Sequence, residues 1–212
     1  MVRTFLTALA VATAMTAVPV FPDRVNAMAA VCDVYFVKDV DDTANSEKAK
    51  PFTDNDMRQL LVDTAETYIG RLEYALIGGE SDIDGIRQAD CSGFVWQIYK
   101  KCGALDSYKG YRTCQETMER AMDGKCPYIY EISMDEILPG DIIVYENTED
   151  YILENPEGVY GHMGLYVGNG EIIHTTRGEG SHNGCIRSRI GYRDTPVHAV
   201  RIDLAAAVKA HQ

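Results

Sequence analysis

The sequence predicts an α+β fold in which N-terminal helices pack on an antiparallel β-sheet. Two observations predict it. Apolar residues recur at helical spacing between residues 53 and 122, and at a period of two between residues 141 and 202. Helical and strand segments are therefore separated along the chain, which argues against an alternating β-α-β order. The 212 residues suffice for one domain with a real core, and they contain no internal repeat or low-complexity segment.

The N-terminus is set apart from that core. Arg3 precedes an apolar run over residues 5–18, followed by Pro19, Pro22 and an A-x-A pattern at Ala27 and Ala29. This is the layout of a secretory signal peptide over residues 1–29. The run is short for a membrane span, which needs roughly 18 apolar residues; a retained membrane anchor is the alternative. Val31 before Cys32 does not match a lipid-anchoring signal. Without Arg3, Arg24 and Asp23, 18 basic and 31 acidic side chains remain, a net charge of −13. That excess argues against nucleic acid and anionic surfaces as partners. Residues 30–52 read as a short polar lead-in with a possible strand at 34–37.

The first helix opens at Thr53, which with Asp56 forms a capping-box pattern. Leu60, Leu61, Thr64, Ala65 and Tyr68 lie on one face, and Gly70 is the expected stop. The stretch DCSGFVWQIYKKCG, residues 90–103, begins a second helix. Phe94, Val95, Ile98 and Tyr99 form its apolar stripe, Lys100 and Lys101 its last turn, and Gly103 its end. Thr113 with Glu116 opens a third, short helix through Met122. Strands are expected at 141–146, 162–167, 171–175 and 197–202.

Cys91 is the residue that raises a functional question. It sits at the start of a helix, where unpaired N–H groups and the helix dipole favour a thiolate. Ser92 and Gly93 leave its approach uncrowded, and the N–H groups of Cys91 and Ser92 are placed to hold an oxyanion. A buried or disulfide-bonded cysteine is the alternative. Of the six cysteines, none forms a C-x-x-C pair, and pairing is not readable from the sequence.

A thiol nucleophile needs a base, and His162 and His174 flank Gly168-Asn169-Gly170. A three-residue hairpin loop would set Val167 opposite Glu171 and Gly164 opposite His174. Both imidazoles would then share one face as diagonal neighbours. A two-residue Asn-Gly loop would place them on opposite faces. In the first register His162 takes the thiol proton and His174 holds its tautomer. A zinc held by Cys91, His162 and His174 is a further alternative, with poor ligand spacing. His182, His198 and His211 read as ordinary surface or strand residues.

Three blocks in order, DCSGFVWQIYKKCG, LPGDIIVYE (138–146) and GHMGLYVGNGEIIHTT (161–176), resemble the NlpC/P60 family of cell-wall cysteine peptidases. The resemblance covers residues 53–204, with 205–212 left as a tail. It implies a reduced papain-like fold, with Cys91 as nucleophile, His162 as base and His174 as third polar residue. Together with the signal-peptide layout of residues 1–29, the expectation is a secreted enzyme with no cofactor and no metal. Such an enzyme cuts stem peptides of peptidoglycan, typically between D-γ-glutamyl and a diamino acid. An N-acetylmuramoyl-L-alanine amidase or acyl transferase on the same fold, or a non-catalytic cell-wall binding module, are the alternatives. Two features depart from the family pattern. Tyr74, expected to shape the site, is followed by three residues before Gly78-Gly79, where the family has two. The gap from Cys91 to His162 is long, and part of it, residues 146–157, carries five acids and no base. That segment reads as a solvated loop or as an acidic rim facing a cationic substrate group.

Overall fold

The computed structural model describes residues 53–76, 83–104, 113–178 and 183–210. The segments 1–29 and 30–52, Cys32, Gly78-Gly79, His182 and His211 lie outside these residues. Helix α1 spans Asp54–Glu66 and starts in the expected capping box, with the Thr53 and Asp56 side chains each bonded to the other's backbone N–H. The helix ends four residues before Gly70, and turns fill the interval. Strand β1 (Glu73–Tyr74) follows, then the short helix α2 (Ile83–Ile86) and strand β2 (Gln88–Ala89). β1 and β2 pair in parallel, with Tyr74 beside Ala89. Cys185 is tied through both of its backbone groups to the chain before β1, its N–H donating to the Leu72 carbonyl at 3.0 Å and its carbonyl accepting from the Gly70 N–H at 2.9 Å. Tyr74 is thereby held two strand positions from the segment that leads into Cys91.

Helix α3 (Cys91–Lys101) is buried from Cys91 through Tyr99, beyond the single stripe that the spacing predicts. Trp96 and Gln97 are covered as well as Phe94, Val95, Ile98 and Tyr99, because α3 is the central helix, enclosed on more than one side. Helix α4 (Cys114–Asp123) opens in the second expected capping box, Thr113 with Glu116. Strands β3 (Ile129–Ile132) and β4 (Ile142–Glu146) come next, then helix α5 (Glu149–Glu154), β5 (Tyr160–Gly168), β6 (Glu171–Thr176), β7 (Gly184–Arg189) and β8 (Val197–Ile202). They form one six-stranded sheet in the order β3-β8-β4-β5-β6-β7, antiparallel throughout. The α+β class is as the sequence predicts. Helix α6 (Leu204–Ala210) corrects the reading of residues 205–212 as a tail, since Leu204 and Ala207 are buried in the core. The acidic stretch is likewise not a plain loop: Thr148 caps α5, although the helix buries none of its residues.

Alternation divides the sheet's side chains between two apolar clusters. Val144, Met163, Leu165, Ile173 and Val200 belong to the cluster with the helices, and Ile143, Tyr145, Tyr166, Ile172 and Ala199 to the second. The turn before β4 is fixed by charge. Asp141, fully buried, accepts from Arg58 Nη1 at 2.9 Å, from Arg201 Nε at 3.1 Å and Nη2 at 2.7 Å, and from the Leu138 N–H at 2.7 Å. Tyr99 adds a hydrogen bond to the Gly140 carbonyl, linking α3 to the same turn. Among the described residues no helix is long and apolar enough to cross a membrane.

Removing the carboxylate takes the buried partner from both Arg58 and Arg201 and leaves Arg58 with the exposed Asp54, which costs on the order of 3–5 kcal/mol. Asp141→Ala is therefore expected to lower the urea midpoint by that equivalent, and a change within the range of surface substitutions would refute the assignment.

Candidate active site

Cys91 is the first residue of α3, and Asp90 caps the helix by accepting from the Gly93 N–H at 2.7 Å. The Ser92 hydroxyl donates to the same carboxylate at 3.0 Å, so its side chain braces the cap. Cys91 retains 7% of its accessible surface. Its thiol lies well below the ordinary range. The largest cause is a hydrogen bond from the Cys114 thiol; the His162 ring and the Met163 N–H act in the same direction, and together they outweigh burial. The two sulfurs are 3.8 Å apart and unbridged, and the five described cysteines are all free.

The two histidines meet across β5 and β6. His162 Nε2 lies 2.8 Å from His174 Nδ1, and their rings stand edge to face. The register is the one in which the histidines share a face, but the loop is not the expected one. Asn169 and Gly170 form a two-residue turn, both at positive φ (55° and 71°), with Gly168 opposite Glu171. Between Tyr166 and Gly168 the pairing shifts by one residue, a bulge that Gly168 accommodates at φ 94°. The bulge restores the parity that a two-residue loop alone would have lost. Leu165 then faces Ile173, and Gly164 comes opposite His174. The absence of a side chain at Gly164 is required there, because a Cβ would stand 3.0 Å from the His174 Cβ and 2.9 Å from Ile172 Cδ1.

Further side chains complete the cluster. Ser188 Oγ lies 2.9 Å from His174 Nε2, and Ser188 pairs with Ile172 across β6 and β7, so it is a diagonal neighbour of His174. The Tyr192 hydroxyl is 3.4 Å from His174 Nδ1. Tyr145 sits directly across β4 and β5 from His162, ring centroids 5.7 Å apart, and donates to the Ile190 carbonyl. Burial, followed by the His162 and Arg193 charges, pushes the His174 pKa down to about 3. His174 is therefore neutral at physiological pH. The network assigns Nδ1 as its acceptor and Nε2–H as the donor to Ser188. Burial pushes Tyr192 up to about 12, so its hydroxyl keeps its proton.

Tyr74 is half-buried, and its phenol is raised first by burial and then by the neighbouring Cys91 and Asp90 charges. The Arg177 guanidinium lies 5.8 Å from its ring centroid. His198 belongs elsewhere: its Nδ1 meets Glu131 at 3.1 Å and its Nε2 meets Glu146 at 2.9 Å. Glu146 is therefore engaged with His198, while Glu149, Asp150, Glu154 and Glu157 are exposed. Among the described residues no group of three or more His, Cys, Asp or Glu side chains could hold a metal ion. The facing nitrogens of His162 and His174 meet one another instead of converging on a common point, which leaves the zinc arrangement without support. Cys114, Ser188 and Tyr192 were not visible as site residues in the sequence. The alternation of Ile186 and Ser188 with Arg187 and Arg189 was a usable signal for Ser188; Cys114 arrives by tertiary packing alone.

The sequence pattern of the NlpC/P60 family matches residues 71–190, more than half of the chain. The chain belongs to the NlpC/P60 family. Members of this family are cysteine peptidases and peptidoglycan hydrolases. A curated relative, the gamma-D-glutamyl-L-lysine dipeptidyl-peptidase of Bacillus subtilis (strain 168), is 28% identical over 88 residues, covering 42% of this chain and 24% of the relative. The chain thus matches about a quarter of that protein's length. Two solved structures from Trichomonas vaginalis share the fold. NlpC1 has a TM-score of 0.51 at 22% identity, covering 71% of this chain and 45% of that one. NlpC2 has a TM-score of 0.50 at 20% identity, with coverage of 76% and 50%. The mixed helix and antiparallel sheet architecture is the papain-like one of this family.

The depressed thiol makes a pH prediction. A thiolate held by its neighbours persists as pH falls below the ordinary thiol value of about 8.5. Iodoacetamide labelling of Cys91 should therefore fall less steeply below that value than labelling of an ordinary cysteine does. In His162→Gln, which keeps the Cys114 and Met163 contributions and loses that of the imidazole, the labelling rate should fall more steeply with falling pH than in the wild type. Identical profiles in the two proteins would contradict the thiolate–imidazole pairing.

Proposed function

We propose that this protein is a secreted cysteine endopeptidase that hydrolyses the D-γ-glutamyl–diamino acid bond of peptidoglycan stem peptides. The observation that carries the reading is the line of contacts from the Cys91 sulfur to His162, His174 and Ser188, starting on the first turn of a buried helix. The family assignment supports the peptidoglycan substrate, and the name of the Bacillus subtilis relative supports the bond. The apolar run and A-x-A pattern in residues 1–29 support export.

The proposed reaction begins with the proton on His162 and the charge on sulfur. His162 Nε2–H donates to His174 Nδ1, which leaves Nδ1 of His162 for the thiolate side. The Cys91 sulfur attacks the amide carbonyl carbon, and the oxyanion forms against the N–H groups of Cys91 and Ser92. His162 gives its proton to the leaving amine, and the C–N bond breaks to a thioester. Water, deprotonated by His162, then attacks the thioester and releases the carboxylate and the thiolate. His174 stays neutral throughout, because a second positive ring is disfavoured by burial and by the His162 charge. Its role is to fix the tautomer and angle of His162, with Ser188 in turn fixing His174. Tyr74, beside Cys91, lines the approach of the substrate.

Digestion of purified muropeptides, followed by mass spectrometry, tests this reading. Wild-type protein should release fragments cut between D-glutamyl and the diamino acid. Cys91→Ala should lose at least about a thousandfold of that rate. Cutting between the sugar and L-alanine, or undiminished cleavage by Cys91→Ala, would overturn it.

A further inference from the structure

The peptidase mechanism leaves Cys114 unemployed as a reactive group. It is buried, 5% exposed, at the first position of α4, and its capping box fixes that position independently of Cys91. Its sulfur nevertheless lies 3.8 Å from the Cys91 sulfur, in van der Waals contact. The other described cysteines make ordinary burial contacts. Cys102 lies beside Thr64 Oγ1 at 3.3 Å, and Cys102 and Cys185 are raised by burial to about 11 and about 12. Among the described residues Cys91 and Cys114 are the pair of sulfurs brought together.

We propose that Cys91 and Cys114 form a modification site, in which Cys114 captures the peroxide-oxidised nucleophile as a reversible disulfide. The proposal rests on the reading of Cys91 as a reactive thiolate. In the first step the Cys91 sulfur attacks one oxygen of a hydroperoxide. An S–O bond forms, the O–O bond breaks and hydroxide leaves, so that sulfur is oxidised to a sulfenic acid and the peroxide is reduced. In the second step the Cys114 sulfur attacks the Cys91 sulfur. An S–S bond forms and the S–O bond breaks; the departing hydroxide takes up the Cys114 proton as water. Two thiols and one hydrogen peroxide thus give one disulfide and two waters. Closing from contact to a bond of about 2.05 Å needs side-chain rotation at two helix starts. An external thiol reverses the bond.

The consequence is protection. A sulfenic acid without a nearby thiol proceeds to the sulfinic state, which ordinary reductants do not reverse. With Cys114 in contact, an oxidant switches the peptidase off without destroying it.

The test uses the full chain, reduced, then treated with a severalfold molar excess of hydrogen peroxide. Trypsin places Cys91 on peptide 88–100 and Cys114 on peptide 113–120, one cysteine each. The expected result is a cross-link of these two peptides, lighter by two hydrogens, with muropeptide cleavage lost and then restored by dithiothreitol. In Cys114→Ser, Cys91 should instead gain two or three oxygens. The activity recovered on reduction, relative to that variant's own starting rate, should be about tenfold below the wild-type recovery. Oxygen accumulating on Cys91 of the wild type without the cross-link would overturn the proposal. So would no change at either cysteine, or a cross-link of Cys91 to a different cysteine. The mass readout on wild type does not depend on folding of a variant. Muropeptide cleavage by Cys91→Ala fails or succeeds separately, so failure of the peptidase reading is distinguishable from failure of this one.

Discussion

Two imidazoles on neighbouring strands can touch only if the hairpin between them keeps both on one face. With side chains alternating at every residue, a shift of one position sends one ring to the other side of the sheet. Here the chain uses a tight Asn169-Gly170 turn and then spends one extra residue at Val167 to recover the parity. The 2.8 Å contact between His162 and His174 depends on that bulge, while the β6–β7 pairing and the chain after β7 bring Ser188 and Tyr192 to the same ring. Gly164 serves the same constraint by leaving room where the rings' strands cross. The sheet is therefore more than a platform for α3. Its register decides whether the sulfur meets one ring or a braced pair.

The electrostatics separate the roles. The sulfur is favoured as an anion by a thiol, an imidazole and a backbone N–H. His174 is held neutral by burial and by a neighbouring charge. In the proposed reaction a proton passing between Cys91 and His162 is therefore not taken up by His174. The positive ring, when it forms, is oriented by a neutral acceptor, which costs little reorganisation. The acidic surface does not enter this balance. Glu146 is engaged with His198, and the remaining acids of residues 149–157 are exposed on and after a helix that buries none of its residues.

What was legible in the sequence was local. Both capping boxes, Thr53 with Asp56 and Thr113 with Glu116, need only four residues each, and both are formed. The strands with strong alternation, β4, β5, β6 and β8, fall within two residues of their expected limits. β7 escaped because an edge strand carrying Arg187, Ser188 and Arg189 has a weak apolar signature. β1 and β2 escaped because two residues hold no periodicity; they exist through their pairing with one another. α6 escaped because its alanines and single leucine read equally as a tail. In the site, spacing offered Cys91, His162 and His174 as candidates, parity left the histidine pair open between two registers, and the resemblance of the three blocks implied the set; the bulge at Val167 that brings the rings together was not legible. Nor were Cys114 and Tyr192, since their approach is set by how α4 and the chain after β7 pack against the rest.

Nitrogen-edited NMR of the imidazole rings tests the central claim most directly. The account predicts His174 with Nε2 protonated and Nδ1 bare, unchanged from about pH 8 to pH 5 because its pKa lies near 3, with a scalar coupling across the hydrogen bond from His162 Nε2 to His174 Nδ1. A His174 ring that titrates near the ordinary histidine value of about 6.5, or that carries its proton on Nδ1, would contradict it.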